Sequence, residues 1–293
     1  MKVLLYIIII LIIVILIVIF ESLREHKIFN VKTYRITNDK IPDVFKNTKI
    51  VMLSDLHNAC YGTNNKLLYK KIEDLKPDLI IIAGDMPVSN SKNYENNIKT
   101  AEFISVLSDI ADIYYGVGNH ERRMRDRDYL KRDWDNYYNI IYKRNGIHKI
   151  YYMDNKKISV LKDGGKINIY GLDLDLSYYQ HFSKKELSEK HIDNILGKAD
   201  KSDFNIMIAH NPEYFKCYAA WGTDLVLSGH VHGGMIRIPI FGGVVSPKPR
   251  LFPHYDYGKY QEAGSTMLLS NGLGSHSVKI RFNNVPEIVL IDL

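Results

Sequence analysis

Eight short apolar runs restrict the architecture available to this chain: residues 50–53, 79–82, 113–117, 167–170, 206–208, 225–227, 267–269 and 288–291. Each holds three to five residues, rich in Ile, Val and Leu, with Gly or Asp near its ends. Such runs are too short to give a helix its buried face, and their lack of polar alternation marks strands covered on both sides. Helical patterns fit between several of them, at 65–75, 96–107 and 184–196. Strand and helix alternating in this way predict one α/β domain with a large sheet core and no internal repeat. Of 293 residues 46% are hydrophobic and 25% charged, which excludes disordered and collagen-like classes. Two cysteines, Cys60 and Cys217, exclude a disulfide-stapled scaffold and a four-cysteine zinc site.

Residues 3–20 depart from that average, being an unbroken apolar stretch without charge, Gly or Pro. As a helix it reaches ~27 Å, enough for the hydrocarbon core of a thin bilayer. A cleaved signal peptide would need small residues next, whereas Glu21, Ser22, Leu23, Arg24, Glu25, His26 and Lys27 follow. The stretch therefore reads as an uncleaved single-pass anchor, which places the chain at the cell membrane. Arg24, Lys27, Lys32 and Arg35 against Lys2 lean towards a cytoplasmic catalytic side. Residues 1–20 are then the anchor, 21–46 a polar connector and 47–293 the folded domain.

Five of the strands run straight into residues of metal-ligand type. They end in Asp55 and His57, in Gly84 and Asp85, in Asn119, His120 and Glu121, in His210, and in His230 and His232. Functional groups of an α/β sheet gather at the carboxyl ends of its strands, so this placement lets scattered residues converge on one edge. In Asp55, Leu56, His57 and in His230, Val231, His232 the outer residues of an extended segment point the same way. Gly84 lets a carboxylate approach closely, and the two oxygens of Asp85 can bridge two ions. The set of Asp55, His57, Asp85, Asn119, His210, His230 and His232 mixes oxygen and imidazole donors without thiolate. Two divalent ions of Mn, Zn or Fe suit it better than a cysteine-bound structural zinc.

These five blocks, in order and spacing, resemble the signature of calcineurin-like metallophosphoesterases. Gly233, Gly234, Met235, Ile236, Arg237, Ile238 and Pro239, then Tyr257 to Tyr260, Ser270 to Gly274 and Pro286 to Ile288, resemble the membrane-associated bacterial branch often called YkuE-like. The resemblance covers essentially everything after the anchor. It implies a four-layer α/β fold, two mixed sheets packed face to face with helices outside. It also implies that Asp55, His57 and His232 hold one ion, that Asn119, His210 and His230 hold the other, and that Asp85 bridges. His120 would stand over the phosphate as general acid or as stabiliser of developing charge.

The chain departs from the family pattern after the second block. Where the family commonly has Gly-Asp-x-x-Asp, Gly84 and Asp85 are followed by Met86, Pro87 and Val88, so the second carboxylate is missing. Met235 stands where Gln is frequent. These changes bear on loop geometry and substrate choice, since all seven ligand positions remain.

Three further residues are candidates for substrate contact. Arg122 and Arg123 follow His120 closely, and His254 lies in a proline- and aromatic-rich segment, 239–260, beyond the last ligand. The remaining histidines and Cys60 read as ordinary packing or surface residues. The function predicted is a membrane-anchored hydrolase of a phosphomonoester, phosphodiester or pyrophosphate bond, and tethering admits a lipid-linked or cell-envelope substrate. A nuclease is disfavoured because the basic residues are interspersed with acids, and a non-catalytic scaffold because every ligand and His120 are retained.

Overall fold

The computed structural model describes residues 2–144, 146–180, 185–234, 236–238, 242–245, 254–275 and 280–293. An apolar helix, α1 (Lys2–Glu25), leads into β1 (Asn30–Arg35) and β2 (Lys49–Leu53). Next come α2 (Lys66–Leu75), β3 (Leu79–Ile82), α3 (Tyr94–Leu107), β4 (Asp112–Gly116), α4 (Asn119–Asp126) and α5 (Lys131–Lys143). The chain continues through β5 (Ile150–Met153), β6 (Lys156–Lys162), β7 (Gly165–Leu172), α6 (Glu189–Leu196), β8 (Phe204–Ala209), α7 (Phe215–Trp221) and β9 (Leu225–Ser228). It closes with β10 (Ile236–Ile238), β11 (Gly242–Val245), β12 (Gly258–Glu262), β13 (Ser265–Leu269) and β14 (Glu287–Asp292).

Two six-stranded mixed sheets form, ordered β1-β14-β2-β3-β4-β5 and β12-β13-β9-β8-β7-β6, and β10 pairs with β11. The apolar runs lack alternation because both faces of each sheet are covered. In β2, Ile50 and Met52 turn inward to meet Ile167, Ile206 and Leu225 of the other sheet. Val51 and Leu53, one residue out of phase, pack under Leu68 of α2, Ile104 of α3 and Trp134 of α5. On the far side, Tyr170, Met207 and Val226 meet Ile192 of α6 and Phe215 and Tyr218 of α7. The result is the expected four layers, helix, sheet, sheet, helix. Each fully buried aliphatic side chain contributes roughly 1.5–3 kcal/mol to this packing.

All eight expected runs fall on strands, with Val117 alone lying just past the end of β4. The stretch 21–46, read as a connector, instead holds β1, an edge strand parallel to β14 from Asn30 opposite Glu287 to Arg35 opposite Asp292. Its polar sequence is that of a strand with one open edge. The helix expected at 184–196 begins at Glu189, where the Ser188 side chain accepts the amide hydrogen of His191 as N-cap.

Candidate metal centre

β2, β3 and β4 are parallel neighbours in the first sheet, and β8 and β9 are parallel neighbours in the second. Their carboxyl ends meet at one edge of the sandwich. There the backbone turns sharply: Asp55, His57, Asp85, His230 and His232 all have φ between 43° and 76°. That left-handed conformation costs a non-glycine residue about 1 kcal/mol or more, and it clusters where a site over-determines it. Gly84 at φ 89° is required by contact, since a Cβ there would lie 2.6 Å from the Gly118 nitrogen and 2.9 Å from Nδ1 of His210.

The side chains delivered this way crowd together. His57 Nε2 lies 3.1 Å from His232 Nε2 and 3.8 Å from both Asp55 Oδ1 and Asp85 Oδ2. Asp85 Oδ2 is 3.2 Å from His210 Nε2, and Asp55 Oδ1 is 3.4 Å from His232 Nε2. Asp55 with His57 and His232, and Asp85 with His210 and His230, each bring ligand atoms within 4.8 Å of one another, close enough to hold a metal ion. Asn119 starts α4 with its Oδ1 buried and without a hydrogen-bond partner among the described residues. An orphaned amide oxygen at the same strand-end edge as two carboxylates and four imidazoles fits a cation.

His57, Asp85 and His120 make a third such group. Nδ1 partners separate His120 from His210 and His232. His210 Nδ1–H donates to the Ala83 carbonyl at 2.6 Å and His232 Nδ1–H to the Gly274 carbonyl at 3.1 Å, so each turns its Nε2 inward, where a cation can replace any proton on it. His120 Nδ1 instead accepts the Ser89 amide hydrogen at 2.9 Å. Its neutral ring therefore carries the proton on Nε2, as a donor and not a ligand. Ser89 takes this part in a loop where the family's second carboxylate is missing.

Burial pushes the Asp55 carboxyl up to about 6, helped by the charge of Asp85 and opposed by His210. Burial works on Asp85 too, but His210, His120 and His57 outweigh it and hold that carboxyl well below the ordinary range. His210 is desolvated as well, and the carboxylates of Asp85 and Asp55 raise it to about 10. The two buried acids thus call for positive charge, which a divalent cation supplies in greater measure than an imidazolium.

Several supporting residues were not assigned a part from the sequence. Glu121 Oε1 accepts from Met86 N–H and Tyr115 O–H, and Oε2 accepts from the amides of Asp85 and Gly118, so it pins the β3 loop to the β4 loop. Its place three residues after the N-cap Gly118 was the available signal. Burial, then the nearby Asp85, raises it to about 7. The buried ring of Tyr179 stands 5.2 Å from that of His230 as a wall of the site, and no local pattern announced it.

The expected substrate contacts separate. Arg122 is held by Asp126, Asp173 and Asp175 at 3.0 to 3.4 Å, which joins α4 to the loop after β7. Arg123 Nη1 donates to Ser89 Oγ at 2.9 Å, next to His120. His254 packs edge-on against Tyr255 at 4.5 Å, and Tyr255 against Phe215 of α7. Cys60 is exposed, with its thiol on the Gly62 carbonyl. Met235, Pro239, Phe241, Phe252 and prolines 247, 249 and 253 lie outside the described residues, as do His181 and His276.

The family model for calcineurin-like phosphoesterases matches residues 48–234, the span that contains every candidate ligand. The chain belongs to the calcineurin-like phosphoesterase family. It is accordingly a metal-dependent phosphoric ester hydrolase, with His and Asp clusters suited to divalent metal. The uncharacterized metallophosphoesterase YkuE of Bacillus subtilis is 28% identical over 92% of this chain and 87% of its own. The uncharacterized metallophosphoesterase Cj0846 of Campylobacter jejuni is 29% identical over 87% of this chain and 61% of its own length. The transmembrane protein with metallophosphoesterase domain of Danio rerio is 23% identical over 87% of this chain and 55% of its own. In this metallophosphoesterase the one helix among the described residues that is long and apolar enough to cross a membrane is α1.

Proposed function

We propose that the chain is a membrane-anchored, two-ion phosphoesterase cleaving a phosphomonoester, phosphodiester or pyrophosphate bond. Asp55, His57 and His232 hold one ion, Asn119, His210 and His230 hold the other, and Asp85 faces both. Two cations bound there supply charge that neutralises phosphate oxygens and makes water nucleophilic near neutral pH. The protein's own part is positioning and proton transfer. Asp85 Oδ1 accepts the His120 amide hydrogen at 2.7 Å, which leaves Oδ2 turned towards both His57 and His210. His120, with its proton on Nε2, donates to the leaving oxygen.

The opposed ring orientation carries this reading: His210 and His232 donate from Nδ1 and turn Nε2 to the carboxylates, whereas His120 accepts at Nδ1. The catalytic domain takes in residues 47–293, to which β1 adds a strand. Residues 3–20 form the anchor; α1 is apolar on all its faces there, and such a helix belongs in hydrocarbon. The neighbouring bases Arg122 and Arg125 are held by Asp126, Asp154, Asp173 and Asp175, which does not favour a nucleic-acid surface.

The test strips the full chain of metal and reloads it with Mn or Zn. A soluble phosphomonoester, a phosphodiester and a nucleotide-sugar pyrophosphate are then assayed in parallel. Turnover restored by metal at two ions per chain is expected, and turnover unaffected by chelation would refute the reading. Resistance of the chain to alkaline extraction from membranes checks the anchor.

A further inference from the structure

The membrane helix is docked into the domain by its last turn. Ser22 and Glu25 are 6% and 1% exposed, whereas the apolar residues before them are open to their surroundings. Ser22 Oγ accepts the Arg281 amide hydrogen at 3.0 Å, and both Glu25 carboxylate oxygens accept that of Asn284 at 3.1 Å. His26 donates from Nδ1 to the Ser22 carbonyl, so its Nε2 accepts the Ser275 hydroxyl hydrogen at 2.8 Å. Phe29 then packs edge-on against Tyr61 at 4.9 Å, and Tyr61 O–H donates to the Leu273 carbonyl.

The receiving segment also braces the candidate metal edge. The buried Arg281 guanidinium donates to the carbonyls of Asn271, Gly272, Gly274 and Asn284. Gly274 in turn gives its amide hydrogen to Asp55 O at 2.6 Å and accepts Nδ1–H of His232 at 3.1 Å. Asn284 Nδ2 donates to the carbonyls of His232 and Gly234, each at 2.7 Å. Arg281 and Gly274 therefore separate Ser22 from Asp55 and His232, and Asn284 alone separates Glu25 from His232. Ser22 stands two residues past Phe20, the last apolar residue of the span, a rise of about 3 Å. Leu23 and Ile280, 60% and 39% exposed, add apolar surface at the same place.

A flexible leash would let the domain turn freely, and a catalytic edge reached through so few fixed bonds does not. Resting on the proposed anchored phosphoesterase, we infer that this clamp holds the metal edge at the level of the lipid head groups. The substrate class is an amphiphile, a phosphoester whose apolar end stays in the bilayer while its phosphate enters from the membrane surface. Soluble esters of the same head group reach the site only by diffusion and are turned over more slowly.

Two measurements on the full chain in vesicles test this. Cys60, exposed and three residues from His57, takes a bimane label in a Cys217→Ser background, and the vesicles carry a lipid with a nitroxide head group. Quenching is expected, and it should weaken at least threefold when ten Gly and Ser residues are inserted between Phe20 and Glu21. In the second, the head group preferred in the soluble panel is compared as a short-chain ester and as a dioleoyl ester in the vesicle. The insertion should lower the ratio of lipid to short-chain turnover at least tenfold and leave short-chain turnover unchanged. An unquenched label, or a ratio untouched by the insertion, would overturn the inference while leaving the hydrolase intact. Failure of metal to restore any turnover would instead count against the hydrolase, and failure to remain with vesicles against the anchor.

Discussion

The two sheets contribute unequally to the edge they share. Of the proposed ligands the first brings Asp55, Asp85, Asn119 and a single imidazole, His57, whereas the second brings His210, His230 and His232. Both carboxylates among the proposed ligands thus come from one sheet, and the other supplies imidazoles only. Neither sheet holds a complete site, so the centre exists only once the apolar faces between them are packed. Metal affinity and sheet packing are for that reason linked.

The sharpest way to break this asymmetry is on the charged side. Asp85→Ala removes a carboxylate that faces both His57 and His210 and is expected to lower metal-dependent kcat at least 10³-fold, read together with metal content. On the imidazole side, His232→Ala removes a neutral donor only. It should weaken metal affinity roughly 10²-fold, with much of the turnover recovered at millimolar metal; loss that excess metal does not relieve would show the sheets to be equivalent. Glu121→Ala leaves three buried amides without their acceptor, at about 1 kcal/mol or more each, while the Tyr115 hydroxyl keeps that of Tyr137 as a partner. Roughly 3 kcal/mol of stability should go in urea denaturation, with Glu121→Gln losing less. The smallest effect belongs to Ser89→Ala, which keeps the amide that bonds His120 and should change kcat less than threefold. Nitrogen NMR of that variant should still find the His120 proton on Nε2.

How much of this was legible beforehand follows from the range of each interaction. The ligands stand directly after strand runs, so local order in the chain displayed both the α/β sheet core and the seven candidate positions, while the four layers came from the family resemblance. β1 was hidden because an edge strand keeps polar residues on its open side. Arg122 looked available for substrate from its closeness to His120, but Asp173 and Asp175, some fifty residues on, hold it. Arg281 gave no signal at all: a single arginine near the end of the chain reads as surface charge until the carbonyls around it are assembled. Ser89 and Tyr179 were missed for the same reason, since their partners come from other strands.

The left-handed turns at five of the proposed ligands carry one more consequence. Among residues with donor side chains, Asp, Asn and His enter that conformation readily, and bulkier ones do not. Any mutation at Asp55, His57, Asp85, His230 or His232 meets two filters at once, one set by coordination and one by the shape of the main chain. The second filter acts before any ion arrives. A lineage carrying this backbone can drift between carboxylate, amide and imidazole, and it is steered away from longer acids, so the repertoire of metals open to its descendants is already narrowed by the angle of the peptide chain.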